Sequence, residues 1–303
     1  MPRRWKPGFT CLLFASICGY ISFNVYVYAL SNVITWRISN FDPTNEGATA
    51  PVSRKDIQTD VKSTRTPEEV SKKKILNNLC RIETNYDHLP DDFDFLITPS
   101  KKCNSISSTQ SISFLVGVES SVLNFEQRAA VRQTWANKDL LNRFSSRVIF
   151  LIGTNETAEF QEMLNRENKQ YDDLVQGSFI EHYRNLTLKT IMFFRWSQCF
   201  CKSVDYVIKT DDDVIVNLKK IYTIVKSLPK TGLYLGHMQN RSHVIRRSRH
   251  RWYTSFEAYP KDYYPRYASG ALYILSKMLQ ENVMNICRHT QQDTSLQKMH
   301  SLA

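Results

Sequence analysis

Among the seven cysteines of this 303-residue sequence no Cys-x-x-Cys pair occurs, and its seven histidines form no cluster, so a structural zinc site is not expected. No charged side chain occurs in the 28 residues from Phe9 to Trp36, which carry Leu12, Leu13, Phe14, Ile17, Ile21, Phe23, Val25, Val27, Leu30, Val33 and Ile34. About 20 apolar residues suffice to cross a bilayer as a helix. From Asp42 to Asn85 there is no aromatic residue, and the stretch is rich in Ser, Thr, Lys and Pro. Such a segment has little to bury and reads as a flexible stem.

Elsewhere the chain has ample core material: 42% of all residues are apolar, with 16 Phe and 15 Tyr, which excludes wholesale disorder. The formal net charge of +11 suits nucleic acid, anionic lipid or a nucleotide diphosphate, and charge alone does not choose. The amino-terminal run does. Arg3, Arg4 and Lys6 precede it, and the positive-inside rule keeps that short end cytoplasmic. A cleaved signal peptide would want a shorter apolar core and a small-residue cleavage site. The expected organisation is a cytoplasmic tail over 1–8, an anchor over 9–36, a lumenal stem over 37–109 and a catalytic domain over 110–303. A lumenal chain meets no nucleic acid. Three sequons, at Asn155, Asn185 and Asn240, agree with a secretory route. Five cysteines (Cys80, Cys103, Cys199, Cys201 and Cys287) would be lumenal, an odd number that leaves at least one outside an internal pair.

Order is expected to begin near Ser111. Ser111–Val118 reads as a buried strand, Asn124 as a helix cap with Gln127 as its reciprocal partner, and Arg147–Gly153 as a second strand. Ala158–Asn168 reads as a polar helix, Leu174–Gly177 as a short strand and Leu186–Phe200 as a mostly apolar helix. Tyr206–Thr210 (strand), Lys219–Leu228 (helix) and Leu233–Gly236 (strand) follow. This alternation implies an α/β fold with a mostly parallel sheet covered by helices on both faces. Ligands in such folds sit beyond the carboxyl ends of the strands, which directs attention to the residues just after Thr210.

Those residues are Asp211, Asp212 and Asp213. Three adjacent carboxylates repel one another unless a cation or bases join them. In extended chain Asp211 and Asp213 point to one side and Asp212 to the other. Two converging carboxylates suit a hard divalent ion that keeps sites for waters and phosphate oxygens. An isolated Asp-x-Asp is usually a solvated turn, but here an apolar strand precedes the triplet and Val214-Ile215-Val216 follows it.

The order of motifs then points to a family. Arg128-Ala-Ala-Val-Arg132-Gln-Thr134-Trp135 resembles R-x-x-I-R-x-T-W, and Phe150-Leu151-Ile152-Gly153 is similar to F-L-x-G. Tyr171 through Thr190 matches a D-I-L…F-x-D-x-Y-x-N-L-T-x-K-T block, and Lys209 through Asn217 matches K-x-D-D-D-x-x-x-N. Arg251-Trp252, Tyr259-Pro260, Tyr264-Pro265-Arg266-Tyr267 and Ser269 through Ser276 fit a late K-W…Y-P…Y-P-x-Y…G-x-x-Y-x-L-S run. From about Gln110 to Thr290 the chain therefore resembles the β-1,3-galactosyltransferase and β-1,3-N-acetylglucosaminyltransferase family, inverting enzymes with Brainiac-like and Fringe-like relatives.

That resemblance implies a Rossmann-like GT-A fold, a UDP-sugar donor and Mn²⁺ at Asp211 and Asp213. It also implies a glycan acceptor on glycolipid or glycoprotein and single-pass type II residence in the Golgi membrane. It assigns Arg128, Arg132, Asp173, Lys189, Lys209, Asp211 and Asp212 to the donor side, and Trp252, Tyr267 and Gly270 to the acceptor side. Arg128 and Arg132 lie four apart on one helix face, suited to a diphosphate or uridine, or to an ion pair with Glu126. Trp135 is expected in the core. Asn185 is expected to cap the helix beginning at Leu186 rather than carry a glycan. Lys189 either reaches the donor or pairs with Glu181. The basic run Arg246-Arg247-Ser248-Arg249-His250-Arg251 reads as a solvated loop or an anionic acceptor surface, with Trp252 and Tyr253 as a sugar-stacking face. The family's catalytic base, an Asp in an acidic pair, would fall near Leu296-Gln297, where this sequence has none, and Asp293 is a weak substitute. The expectation is a β-1,3-hexosyltransferase. The alternative is a truncated or inactive Golgi homologue that binds nucleotide sugar or partners an active transferase.

Overall fold

The computed structural model describes residues 26–29, 93–99, 102–103, 112–155, 157–250 and 252–284. The strands are β1 (Tyr26–Ala29), β2 (Phe95–Ile97), β3 (Phe114–Glu119), β4 (Ser146–Thr154), β5 (Leu174–Ile180), β6 (Tyr206–Asp211), β7 (Leu233–Gln239) and β8 (Tyr267–Ser276). The helices are α1 (Phe125–Gln133), α2 (Lys138–Arg143), α3 (Ala158–Tyr171), α4 (Leu186–Phe200) and α5 (Leu218–Ser227), and another begins at residue 277. All strands join one sheet in the order β1-β7-β8-β6-β3-β4-β5-β2. The block β6-β3-β4-β5 is parallel, whereas β8 runs antiparallel to both β6 and β7.

The central strands are apolar because both of their faces are covered. Alternate residues serve opposite cores. Leu115, Ile149, Leu151, Val175 and Val207 pack with Ile191, Met192, Phe193 and Trp196 of α4. Phe114, Val116, Val118, Val148, Phe150 and Ile152 pack on the other face with Val131 and Trp135, and with Leu218, Ile221 and Val225 of α5. Those three α5 positions recur at helical spacing, and Asn217 Oδ1 caps the helix by accepting from the Lys220 amide at 2.9 Å. The α4 helix lies so close to β3 that a Cβ on Gly117 would stand 2.8 Å from the Phe193 ring. At that contact only glycine fits.

Several expectations change. Order starts before Ser111: Phe93, Phe95 and Ile97 are buried, inside the range assigned to the stem. β2 pairs antiparallel with β5, the Phe93 and Phe179 rings meet edge to face at 5.4 Å, and a disulfide joins Cys103 to Cys201 at the end of α4. Cys199 is disulfide-bonded as well, to a partner outside the described residues. The expected anchor over 9–36 lies outside the described residues except for Tyr26–Ala29. Those four residues form a strand parallel to β7 rather than part of a helix, in keeping with the β preference of Tyr and Val. No helix among the described residues is long and apolar enough to cross a membrane.

Candidate functional site

The carboxyl ends of β3 and β6 lie side by side, with Glu119 paired in register to Asp211. Lys209, buried two residues earlier on β6, is the hub. Its ammonium reaches Asp211 Oδ1 at 2.5 Å, Glu119 Oε2 at 3.0 Å and the Gly270 carbonyl at 2.8 Å. Burial alone would lower the Lys209 pKa, but the carboxylates of Glu119 and Asp211 outweigh it and hold the ammonium above its ordinary value. Burial pushes the Glu119 carboxyl up, with Lys209 opposing. Thr190 of α4 adds a hydrogen bond to Glu119 at 2.9 Å. The Lys209–Gly270 bond fixes the start of β8 against β6, so a residue expected on the donor side and one expected on the acceptor side share an atom-to-atom contact.

Asp211 and Asp212 diverge as extended chain requires. Whereas Asp211 turns to Lys209, Asp212 Oδ2 accepts from Ser120 Oγ at 2.7 Å and Asn124 Nδ2 at 2.8 Å, and its amide donates to the Glu119 carbonyl. Burial raises the Asp212 pKa, and these two hydrogen bonds pull it the other way. Asn124 therefore does not cap α1 with its side chain, as expected from its position; the amide is committed to the aspartate turn. No group of three His, Cys, Asp or Glu side chains converges as a metal cluster among the described residues. Asp211 and Asp213, both half-buried at the strand end, fit a cation of the Mg²⁺ or Mn²⁺ type as a donor set of one or two carboxylates, because such ions complete their shell with waters and phosphate oxygens.

The two α1 arginines take protein partners. Arg128 is fully buried and grips Glu167 of α3 through Nε (2.8 Å) and Nη2 (2.7 Å), while Nη1 donates to the Ser121 carbonyl at 2.6 Å and to Ser120 Oγ at 3.1 Å. Arg132 grips Asp173 through Nε (2.9 Å) and Nη2 (2.7 Å), reaches Glu167 at 2.7 Å and stacks over Tyr171 and Phe150. The expected alternative partner Glu126 is not theirs. Asp173, expected at the donor, is likewise engaged with Arg132. Lys189 is 2% exposed, pairs with Glu181 at 2.6 Å and donates to the Ser120 carbonyl. Glu181 also accepts from the Gly153 amide at 2.8 Å, so Lys189 links the ends of β3, β4 and β5. Together these ion pairs form a rigid floor under the aspartate turn. Trp135 is buried, as expected.

The acceptor-side residues lie on and beside the long connection between β7 and β8. Arg246 holds that connection together: its guanidinium donates to the carbonyls of Thr254 (2.9 Å), Tyr259 (2.8 Å) and Lys261 (2.7 Å) and stacks on Phe256 at 3.9 Å. Trp252 is exposed, and its indole Nε1 donates to Tyr183 Oη at 2.7 Å, next to the start of α4. Tyr267 is half-buried with its ring edge-on to Tyr264. Asn155 and Asn240 are exposed. Asn185 makes no side-chain cap either; its amide donates to the Ile180 carbonyl at 2.8 Å. Asp293 and the stretch around Gln297 lie outside the described residues.

A family profile described as Galactosyltransferase matches residues 126–295. The chain belongs to this galactosyltransferase family. It is 34% identical over 205 residues to beta-1,3-galactosyltransferase 1 of Mus musculus, covering 66% of this chain and 61% of that protein, and the same figures hold for the Homo sapiens protein. It is 32% identical over 181 residues to lactosylceramide 1,3-N-acetyl-beta-D-glucosaminyltransferase A of Xenopus laevis, covering 57% of this chain and 48% of that protein. The chain thus spans less than two thirds of the length of these curated relatives. The mixed α/β fold of this galactosyltransferase-family chain, with its mostly parallel sheet, fits a GT-A arrangement, and its aspartate turn stands where that fold places ligands.

Proposed function

We propose that this chain binds a UDP-sugar at the aspartate turn and transfers its galactose or N-acetylglucosamine, with inversion, to a glycan hydroxyl in β-1,3 linkage. One observation carries the reading: the acidic turn at the carboxyl end of β6 is held rigid from both sides, by Lys209 on Asp211 and by Ser120 and Asn124 on Asp212. Carboxylates fixed at a strand end suit a divalent cation that faces a diphosphate leaving group. Asp211 and Asp213 would hold Mn²⁺, which when bound neutralises charge developing on a departing diphosphate. Asp211 shares the Lys209 ammonium with Glu119, so one cation offsets only part of the acidic charge of the turn and leaves it able to attract a divalent ion. Trp252, anchored on Tyr183, supports the acceptor side by presenting an indole face suited to a sugar ring. The names of the relatives favour galactosyl transfer, or N-acetylglucosaminyl transfer onto a lactosylceramide-type glycolipid. A glycoprotein is the other acceptor class proposed, with action in the Golgi membrane as a type II protein, alone or beside a homologous transferase.

The test is UDP binding by calorimetry with and without Mn²⁺, followed by UDP release from UDP-galactose or UDP-N-acetylglucosamine in the presence of lactose-type acceptors. Mn²⁺-dependent binding with acceptor-stimulated UDP release is expected. Binding without any release would remove the transferase reading and leave a nucleotide-sugar binder. Absence of UDP binding by the folded protein would remove both.

A further inference from the structure

The β7–β8 connection is strongly basic. Between Asn240 and Tyr267 lie seven Arg and Lys against only two Asp and Glu. Charge of that density in an exposed loop is normally dispersed by flexibility. Here the loop is cross-tied. Val244 and Tyr264 make backbone bonds to Asp262 and Ser242, and the His243 and Tyr263 rings lie 4.1 Å apart. Arg246, the most buried of its described cations, donates to three carbonyls and stacks on Phe256, and Tyr259 stacks on Tyr264 at 5.1 Å. A frame built this way presents its remaining cations in fixed positions.

Two of them, Arg247 and Arg249, are exposed and make no ion pair among the described residues. Arg247 and His250 line an open cavity of about 550 Å³ with Val244, Ile245 and Arg246. Trp252 follows two residues later, its ring 5.4 Å from that of His250 and its indole bonded to Tyr183. The cavity joins an apolar wall of Val244 and Ile245 to the Arg247 guanidinium, with Arg249 exposed two residues on and Trp252 beside His250, and this combination matches one kind of ligand: a sugar ring carrying an acidic substituent. A neutral glycan would leave both charges unused, and a planar membrane would not need the cavity.

We propose that this loop is an acceptor subsite for an anionic glycan, in which Trp252 packs on a ring and Arg247 and Arg249 hold a sulfate or carboxylate on it. The inference rests on the transferase reading above, but it is tested without turnover. The full chain in neutral detergent is titrated with lactose, a 6-sulfated lactose and a sialylated lactose, at low and at 0.5 M salt. The anionic sugars should bind roughly three- to tenfold tighter than lactose at low salt, the range expected for one or two exposed charge contacts, and the advantage should vanish at high salt. The stronger of the two anionic arms identifies the substituent. The double variant R247A/R249A should lose the preference while UDP binding, a separate titration, is retained. Equal binding of neutral and anionic sugars would overturn the proposal, as would a preference that survives the double variant. So would tighter binding to phosphatidylserine vesicles than to either anionic sugar. Failure of UDP binding alone would count against the donor site and not against this one.

Discussion

Arg128 on α1 and Glu167 on α3 meet in two parallel hydrogen bonds of 2.8 and 2.7 Å, with the arginine fully buried. This pair, extended through Arg132 to Asp173, fastens two helices to the ends of β3 and β5. Removing one member of a buried pair costs about 3–5 kcal/mol when the other is left uncompensated, but Glu167 keeps Arg132 at 2.7 Å. Arg128→Met is therefore expected to lower unfolding free energy in urea titrations by an amount at or below the lower end of that range, and Glu167→Gln by less, because a neutral amide still accepts hydrogen bonds. The double variant R128M/E167Q should lose less than the two single losses combined. Strict additivity would show that the pair is not coupled.

The same pair sets a pH dependence. Burial would raise the Glu167 carboxyl, but the hydrogen bonds and charges of Arg128 and Arg132 outweigh it and hold it below its ordinary value of 4.5. A group depressed in the folded state contributes stability that is complete above its unfolded value and is lost as pH falls through its folded value. The stability gap between the wild-type chain and Glu167→Gln should accordingly be constant from pH 7 down to about 5 and narrow below 4.5. A gap that stays constant to pH 3 would contradict the assignment.

The central parallel sheet was legible because its strands are buried on both faces and read as apolar runs, so Ser146–Thr154 and Tyr206–Asp211 lie within a residue of their expected bounds, while Phe114–Glu119 starts three residues later than expected. The aspartate turn was legible from its position after such a run. β8 was not: its burial is uneven, and it follows a loop rich in Tyr, Pro and Arg. β2 was hidden for another reason, being three residues long and dependent on β5 and the Cys103–Cys201 link for its place. The two asparagine caps failed because their amides found other acceptors: Asp212, 88 residues away, for Asn124, and the Ile180 carbonyl, five residues back, for Asn185. Glu167 was missed likewise. It sits 39 residues from Arg128 on a helix that reads as polar, and only the fold turns it inward.

The Cys103–Cys201 disulfide closes a sequence separation of 98 residues and ties the segment after β2 to the end of α4. Loop-closure entropy for a loop near that length corresponds to about 4.7 kcal/mol, and measured values usually fall at about 2–4 kcal/mol. The double variant C103A/C201A should lose stability in the measured range, read as a shift of the urea midpoint under non-reducing conditions. Thiol reductant is the less selective probe because Cys199 is bridged too. A midpoint unchanged by the double substitution would show that β2 is held by its packing alone.

The sequons separate by environment. Asn155 and Asn240 are exposed, whereas the Asn185 amide is bonded to the Ile180 carbonyl at the base of α4. Expressed through a secretory route, the chain should carry glycans on Asn155 and Asn240 and none on Asn185. Asn155→Gln and Asn240→Gln should each increase gel mobility by one glycosidase-sensitive step. Asn185→Gln should leave mobility unchanged and lower stability by roughly 1 kcal/mol through the lost hydrogen bond. A glycan on Asn185 would require the start of α4 to open.

The three aspartates should respond differently to loss of charge, because each faces a different set of partners. Asp212 is occupied by Ser120 and Asn124, so Asp212→Asn should shift UDP affinity through the position of the turn while leaving the Mn²⁺ response intact. Asp213→Asn should instead weaken the Mn²⁺-dependent part of UDP binding tenfold or more, a loss of at least about 1.4 kcal/mol. Asp211→Asn should do the same and in addition relieve Lys209 of one carboxylate, leaving its ammonium on Glu119 and the Gly270 carbonyl. Calorimetric titration of UDP at fixed Mn²⁺ separates the three variants. If Asp212→Asn abolished the Mn²⁺ response and Asp213→Asn spared it, the metal would have to be assigned to the opposite side of the turn.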